Sequence, residues 1–442
     1  MNAYAPVVSL DDKYTATGGR IYLTGIQALV RLALDRQRLD HLAGLRTGGF
    51  ISGYRGSPLA GYDTELTRAR KHIAAHDVVF KPGINEELGA TAVWGSQKLR
   101  LHGKGSDFDG VFGIWYGKAP GVDRAGDVLK QANASGVDRN GGVLALAGDD
   151  HLAKSSILPG QSEFFFEHAE IPVLNPSDIQ DVLDFGLHGF EMSRFAGLWS
   201  ALICLADTMD ASATISVNAD RLRFVRPEQD PWLLHDLNRV LLLGNRLETE
   251  RLLRDVRLPA VQAYVRANRL DRVAFGASRP RLGLVATGKA YRDLLQALDL
   301  IGINEQRAKE IGLAVYKVAL AWPLEPSGLA EFARGLNKLM VVEHKRAFLE
   351  PQIKEISYHW PADARPRIWG KRTPEGEPML SDVLELSVAE IIRALLCYLP
   401  EDVVTDEMRE VSARMNTQVM WAQGHAERAA RIPYFCSGCP HS

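Results

Sequence analysis

The stretch GGFISGYRGSPLAGYD, residues 48–63, runs from short apolar sequence into a loop of glycine, serine and proline and then toward a helical pattern. GGFISGY reads as a strand. The loop after it, with Gly56, Ser57 and Pro58, is of a kind that lets backbone approach a ligand and turns N–H groups toward it. A tight strand-to-helix connection would look the same. DGVFGIWYG (109–117), GGVLALAGDD (141–150) and IPVLNPSD (171–178) repeat the pattern. Beyond the last of these, Ile179, Val182, Leu183, Leu187 and Phe190 recur near helical spacing, with Ser177 as a candidate N-cap and Asp178 beside it. Strands alternating with helices imply crossover units and a largely parallel sheet, so the fold class is α/β. The working edge of such a sheet is where its strands run out into loops.

The composition fits this class. The chain has 442 residues, of which 46% are hydrophobic and 24% charged, with 52 basic against 54 acidic side chains. That balance gives no pull toward nucleic acid or an anionic membrane. No run approaches the ~18 apolar residues of a membrane span, and the N-terminus lacks a basic region followed by an apolar one. Cys204, Cys397, Cys436 and Cys439 are the four cysteines, too few for a disulfide framework in a chain this long. The expectation is a cytoplasmic protein with neither nucleic acid nor membrane as partner.

Residues 236–279, rich in leucine and charge, read as a helical connector, with Glu250 and Arg254 paired one turn apart. A second α/β unit opens with RLGLVATGKAYRDLLQAL (281–298) and continues through AVYKVAL (314–320) and KLMVVEHK (338–345). Its Gly283–Ala290 segment nearly matches a phosphate loop. However, Leu284 to Thr287 belong to a strand and Ala290 replaces the metal-binding hydroxyl, so a tight turn is the simpler reading.

Three segments concentrate candidate chemistry. GINEELGATAVWGSQ (83–97) places Glu86 and Glu87 in a first helical turn, ahead of Leu88, Ala92 and Val93, which read as buried. Such acids usually complement the helix dipole, but one could project into a cleft toward a cofactor nitrogen. WYGKAPGVDRAGD (115–127) and GDDHLAKSSILPGQSE (148–163) are long polar loops at strand ends, carrying Lys118, Arg124 and His151. The terminal CSGCPH offers Cys436 and Cys439 as half of a zinc site, a redox pair or cluster ligands, and each reading needs further protein. Cys204 and Cys397 lie in apolar patterns and read as buried.

Taken in order, GGFISGYRGSPLAGYD, VVFKPGINEELGATAVWGSQ, GVFGIWYGKAPGVDRAGDVLKQANASG, GGVLALAGDDHLAKSSILPGQSE, IPVLNPSD, LGLVATGKAYRDLLQAL, YKVALAWPLEP and FCSGCPH resemble the N-terminal region of a fused indolepyruvate:ferredoxin oxidoreductase. That enzyme belongs to the thiamine-diphosphate-dependent 2-oxoacid:ferredoxin oxidoreductase superfamily, and the resemblance runs from about residue 12 to the end. It implies a pyrimidine-binding domain, a parallel sheet flanked by helices, over residues 15–235. A transketolase C-terminal-like α/β domain follows at 280–365, and 366–442 form a linker and the start of a missing diphosphate-binding domain, as in a truncated or split chain.

The implied activity is oxidative decarboxylation of a 2-oxo acid, indolepyruvate or an aryl-pyruvate, to an acyl-CoA, with electrons passing through iron–sulfur clusters to ferredoxin. Thiamine diphosphate with Mg2+ and a [4Fe-4S] cluster are the implied cofactors. The isolated chain is expected to be inactive, and the intact enzyme to be a homodimer or larger oligomer. Carried over by motif, Glu86 is the carboxylate against the aminopyrimidine ring, with Glu87 as the other candidate, and Gly56 and Ser57 face the cofactor. Arg55, Lys118, Arg124 and His151 are candidate substrate groups, and Cys436 and Cys439 cluster ligands. LALAGDDH lacks the arginine by which pyruvate-specific relatives hold the substrate carboxylate. A non-redox thiamine enzyme and an inactive, partner-binding regulatory fragment are the competing readings.

Overall fold

The computed structural model describes residues 9–99, 106–153, 158–218, 221–234 and 246–425. Its strands are β1 (Arg20–Thr24), β2 (Thr47–Gly53), β3 (Val78–Phe80), β4 (Gly110–Lys118), β5 (Val143–Asp149), β6 (Val173–Leu174) and β7 (Trp199–Leu205). They continue as β8 (Ser212–Ser216), β9 (Arg272–Gly276), β10 (Leu282–Thr287), β11 (Leu313–Val318), β12 (Leu320–Trp322), β13 (Lys338–Val342) and β14 (Arg367–Trp369). Residue contacts divide the chain into two units. One comprises Met1–Asp149, Ala169–Ile171 and Ile179–Val261, and the other Asp150–His168, Pro172–Asp178 and Gln262–Ser442.

In the first unit, β2 contains three glycines, poor strand formers, yet it pairs in parallel with β3 on one side and β4 on the other. The ladder continues through β5 to β7, all parallel, as the alternation of strands and helices predicts. β4, β5 and β7 are apolar along their length because both faces are covered. The helices Gly25–Leu42 and Ile179–Ala196 are the longest of this unit. Gly186 meets Leu32, allowing the two to approach closely. A buried ion network fastens them. Arg194 forks onto Asp40 at 2.6 and 2.8 Å, Arg36 reaches both Asp40 and Glu191, and Thr47 donates to Asp40 at 2.6 Å. Burial works against ionised Asp40, but the hydrogen bond from Arg194 and the charges of Arg36 and Arg194 win and lower its pKa.

The second unit has the sheet order β14-β13-β10-β11-β9, with β9 antiparallel and the others parallel. Residues 272–276, assigned by sequence to a helical connector, are the edge strand β9. The helices Arg246–Leu252 and Leu258–Asn268 do form, with Glu250 and Arg254 3.4 Å apart; residues 236–245 lie outside the described residues. The unit continues past residue 365, where β14 joins β13 and the helix Val388–Tyr398 buries Ile391 and Leu395 with Leu294 and Ala297 of the helix Gly288–Leu300. Residues 172–178 group here because β6 pairs with β12.

Leu88 is 49% exposed and Ala92 is exposed, contrary to the sequence expectation, and only Val93 of that set is buried. Cys204 is buried as expected, but Cys397 is exposed, because the helix Val388–Tyr398 turns other residues to the core. No helix among the described residues is long and apolar enough to cross a membrane.

Candidate active site

The parallel strands β2, β3, β4 and β5 all run out toward one edge, at Gly53, Phe80, Lys118 and Asp149. The helix Glu86–Ser96 starts from the loop after β3, where Asn85 caps it by accepting the Leu88 N–H at 2.8 Å. Three glycines bring that helix start onto the sheet. A Cβ on Gly89 would stand 2.8 Å from Cα of Gly53, and one on Gly83 would stand 3.1 Å from Cα of Gly89. No side chain fits at this crossing. The Trp115 indole N–H donates to the Glu86 carbonyl at 2.9 Å and fixes the first helical turn against β4.

Glu86 is fully buried at this crossing. Its carboxyl lies against two further glycines: a Cβ would meet Oε1 at 2.6 Å if placed on Gly121, and Cγ at 3.3 Å if placed on Gly117. Burial raises the Glu86 pKa. Its own backbone N–H and the positive charges of Arg124 and Lys118 offset part of that rise. The result is a carboxyl with a raised proton affinity, walled by glycine at the sheet edge.

The structure brings several sequence candidates to this place. Gly56 packs on Lys118, whose Cδ would lie 2.8 Å from a Cβ there, and both Lys118 and Arg124 act on Glu86 electrostatically. Ser57 follows Gly56 and is exposed, as is Arg55, whose charge acts on Asp63 and Tyr116. Glu87 is exposed on the other side of the turn. Gly117, Gly121 and Trp115 did not emerge from the sequence as site residues. The glycines flanking Lys118 in WYGKAPG were the available signal.

His151 groups with the second unit, its ring centroid 5.5 Å from that of His344. There, Asp293, His344 and Glu385 present ligand-type atoms within 4.8 Å of one another, a cluster of metal-site dimensions. The Lys289 ammonium already bridges it, donating to Asp293 at 2.8 Å and to Glu385. These residues come from three distant segments, so no sequence spacing announced them. Cys436 and Cys439, and Lys154 to Ile157 of the polar loop, lie outside the described residues.

Residues 272–421 match the family model of the indolepyruvate oxidoreductase domain. The indolepyruvate oxidoreductase subunit IorA of Methanothermobacter thermautotrophicus is 25% identical over 357 residues, 79% of this chain and 51% of that subunit. The IorA subunit of Methanothermobacter marburgensis is 23% identical over 435 residues, 98% of this chain and 61% of that subunit. The chain therefore spans between 51% and 61% of the length of these relatives. A solved 2-oxoglutarate:ferredoxin oxidoreductase from Magnetococcus marinus, with 2-oxoglutarate, coenzyme A and succinyl-CoA bound, superposes with a TM-score of 0.53 at 15% identity. That match covers 80% of this chain and 64% of the other, and the likeness is one of fold. The chain thus carries a match to the indolepyruvate oxidoreductase domain over 272–421, is similar along nearly its whole length to IorA subunits, and shares its α/β fold with a 2-oxoacid:ferredoxin oxidoreductase.

Proposed function

We propose that the chain is the part of an indolepyruvate or aryl-pyruvate:ferredoxin oxidoreductase that holds the aminopyrimidine end of thiamine diphosphate, with Glu86 as its catalytic carboxyl. In the balanced reaction, one 2-oxo acid anion and one coenzyme A thiol give an acyl-CoA, carbon dioxide and a proton. Two electrons leave through iron–sulfur clusters to two ferredoxins. Residues 15–235 would serve as the pyrimidine-binding domain, and residues 280–365 as the transketolase C-terminal-like domain. Mg2+ and the diphosphate would be held by protein beyond these domains, with Cys436 and Cys439 as cluster ligands.

The observation that carries this reading is the Glu86 pocket. A carboxyl with its pKa raised by burial suits sharing a proton with a ring nitrogen, since its neutral form is stabilised and it still accepts and donates. Gly117 and Gly121 lie directly against it, so backbone and not side chains closes this side of the carboxyl. When bound, thiamine diphosphate supplies the nucleophilic carbon and the electron sink. Glu86 holds the proton that sets the tautomer of the ring, the asparagine cap and Trp115 hold Glu86 in place, and Lys118 and Arg124 moderate its charge. Among the basic candidates Arg55, Lys118, Arg124 and His151, Lys118 and Arg124 stand closest in effect to Glu86 and are the proposed anchors for the substrate carboxylate.

The test is Glu86→Gln in the assembled enzyme, with coenzyme A-dependent, 2-oxo acid-dependent dye reduction as the readout. Gln keeps the size and loses the proton, so turnover should fall by about two to four orders of magnitude. Near-normal turnover would remove Glu86 from the chemistry and leave Glu87 as the next carboxyl to vary.

A further inference from the structure

The second unit has a topological switch point. With strand order β14-β13-β10-β11, the chain leaves β10 toward β11 on one side and leaves β13 toward β14 on the other. Connections that part in this way open a crevice beyond the carboxyl ends of the two strands, where open α/β sheets bind ligands. Thr287, Gly288 and Lys289 close β10 at that crevice, and Glu343, His344 and Lys345 follow β13.

His344 resolves whether the Asp293, His344 and Glu385 cluster is a metal centre. Its Nδ1 accepts the Leu386 backbone N–H at 3.0 Å and therefore carries no proton. The ring proton sits on Nε2, which faces Asp293 Oδ2 at 3.2 Å, off the line of a good hydrogen bond. A nitrogen bearing a proton offers no lone pair to a metal. Lys289 already serves as the cation for Asp293 and Glu385. His344 thus contributes a buried N–H donor.

His151 adds another. It is 7% exposed, and neither ring nitrogen has a hydrogen-bond partner among the described residues. A buried imidazole in that state is costly unless something meets its donor. The groups acting most strongly on it are all cationic or imidazole: His344, Lys345, Lys289 and Lys371. The Lys371 ammonium is held by the carbonyl oxygens of Glu343 at 2.6 Å and Ser381 at 2.9 Å. Two buried imidazole rings stand 5.5 Å apart here, and after His344 the charges that act most on His151 are those of lysines, an environment that suits an acceptor carrying negative charge.

We propose that the crevice between the carboxyl ends of β10 and β13 binds a small oxyanion of the phosphate class. His151 and His344 would contact it, with Lys345 and Lys371 supplying counter-charge. Lys289 stays on Asp293 and Glu385 and shields the anion from them. The site uses residues of the second unit alone and does not depend on the thiamine reading.

The experiment is a titration of the full chain with inorganic phosphate, without thiamine or 2-oxo acid, followed by calorimetry and by the NMR signals of the histidine ring protons. The expected result is saturable binding that shifts the signals of His151 and His344. Binding should weaken about tenfold or more in His151→Asn and in Lys371→Met, the effect of losing one charge-assisted contact. A second arm uses a phosphate monoester, and tighter binding there would mark an esterified phosphate as the natural ligand. Thermal melts establish that each variant is folded, and His151→Gln replaces His151→Asn if that variant melts early. No saturable phosphate binding, unchanged affinity in folded variants, or zinc binding abolished by His344→Ala would each overturn the proposal. None of these outcomes bears on Glu86→Gln, so the two readings fail separately.

Discussion

A Cβ on Gly121 would stand 2.6 Å from Oε1 of Glu86, closer than a carbon and a carboxylate oxygen can approach. The glycine that follows Lys118, Ala119 and Pro120 therefore sets where the buried carboxyl can be.

Gly121→Ala should displace Glu86 and lower the proposed activity by at least about tenfold, since a shift of about 1 Å in a reacting group is enough for that. The overpacking should cost about 1–3 kcal/mol of stability. Turnover measured alongside a denaturant midpoint separates the two effects. Wild-type turnover in a folded Gly121→Ala variant would show that the geometry of the pocket is not used.

Gly95 is the control in the same helix. Nothing lies within 4 Å of a Cβ placed there. Gly95→Ala should stabilise the protein by about 0.5–1 kcal/mol and leave turnover unchanged, read from thermal or urea unfolding.

Asp40 anchors the ion network between the helices Gly25–Leu42 and Ile179–Ala196. Asp40→Ala would leave Arg36 and Arg194 buried with their main acceptor removed, although Glu191 still meets Arg36. The expected loss is about 3–5 kcal/mol, visible as a lower urea midpoint, and removing both Arg194 and Asp40 for apolar residues should cost less than the sum of the single changes.

Asp271 supplies a pH signature. The residue as a whole keeps some exposure, but its Oδ2 is enclosed, and Oδ1 accepts from Ala319 at 2.7 Å and Leu320 at 3.0 Å. Burial pushes its pKa up to about 7, against the pull of those two N–H groups. An acid whose folded pKa lies above its unfolded value of ~3.9 binds more protons when folded. Its contribution to stability is present below about pH 4 and is lost as pH rises through 7, by on the order of a few kcal/mol. Asp271→Asn keeps the Oδ1 acceptor and should flatten the fall in melting temperature between pH 5 and 8 that the wild type shows. Parallel slopes for the two proteins would place the titrating group elsewhere.

The α/β class, the strands over 47–53, 110–118, 143–149 and 282–287 and the helix from 179 were legible in the sequence, because apolar runs and helical periodicity act over a few residues. Glu86 was legible as a candidate beside Glu87, and only burial separated them: the step of about 100° between adjacent helical residues sends Glu86 into the sheet edge and Glu87 to solvent. Periodicity failed at Leu88 and Ala92, which face outward because the helix turns Glu86, Gly89, Ala90 and Val93 to the buried side. It also missed β9, a five-residue edge strand that owes its form to pairing with β11, a partner some forty residues on.

The sequence by itself determined the order of strands and helices, the loops that would carry chemistry and the absence of any strong charge bias. The tertiary structure decided what those loops hold together. The glycine wall around Glu86 joins residues from β4 and two helices, and the pairing of His151 with His344 joins positions 193 residues apart. Proton affinity, tautomer and close approach depend on which groups surround an atom in space, and chain proximity does not encode that. Hence the carboxyl was named from its motif, but its raised pKa and its glycine walls came only from the folded chain.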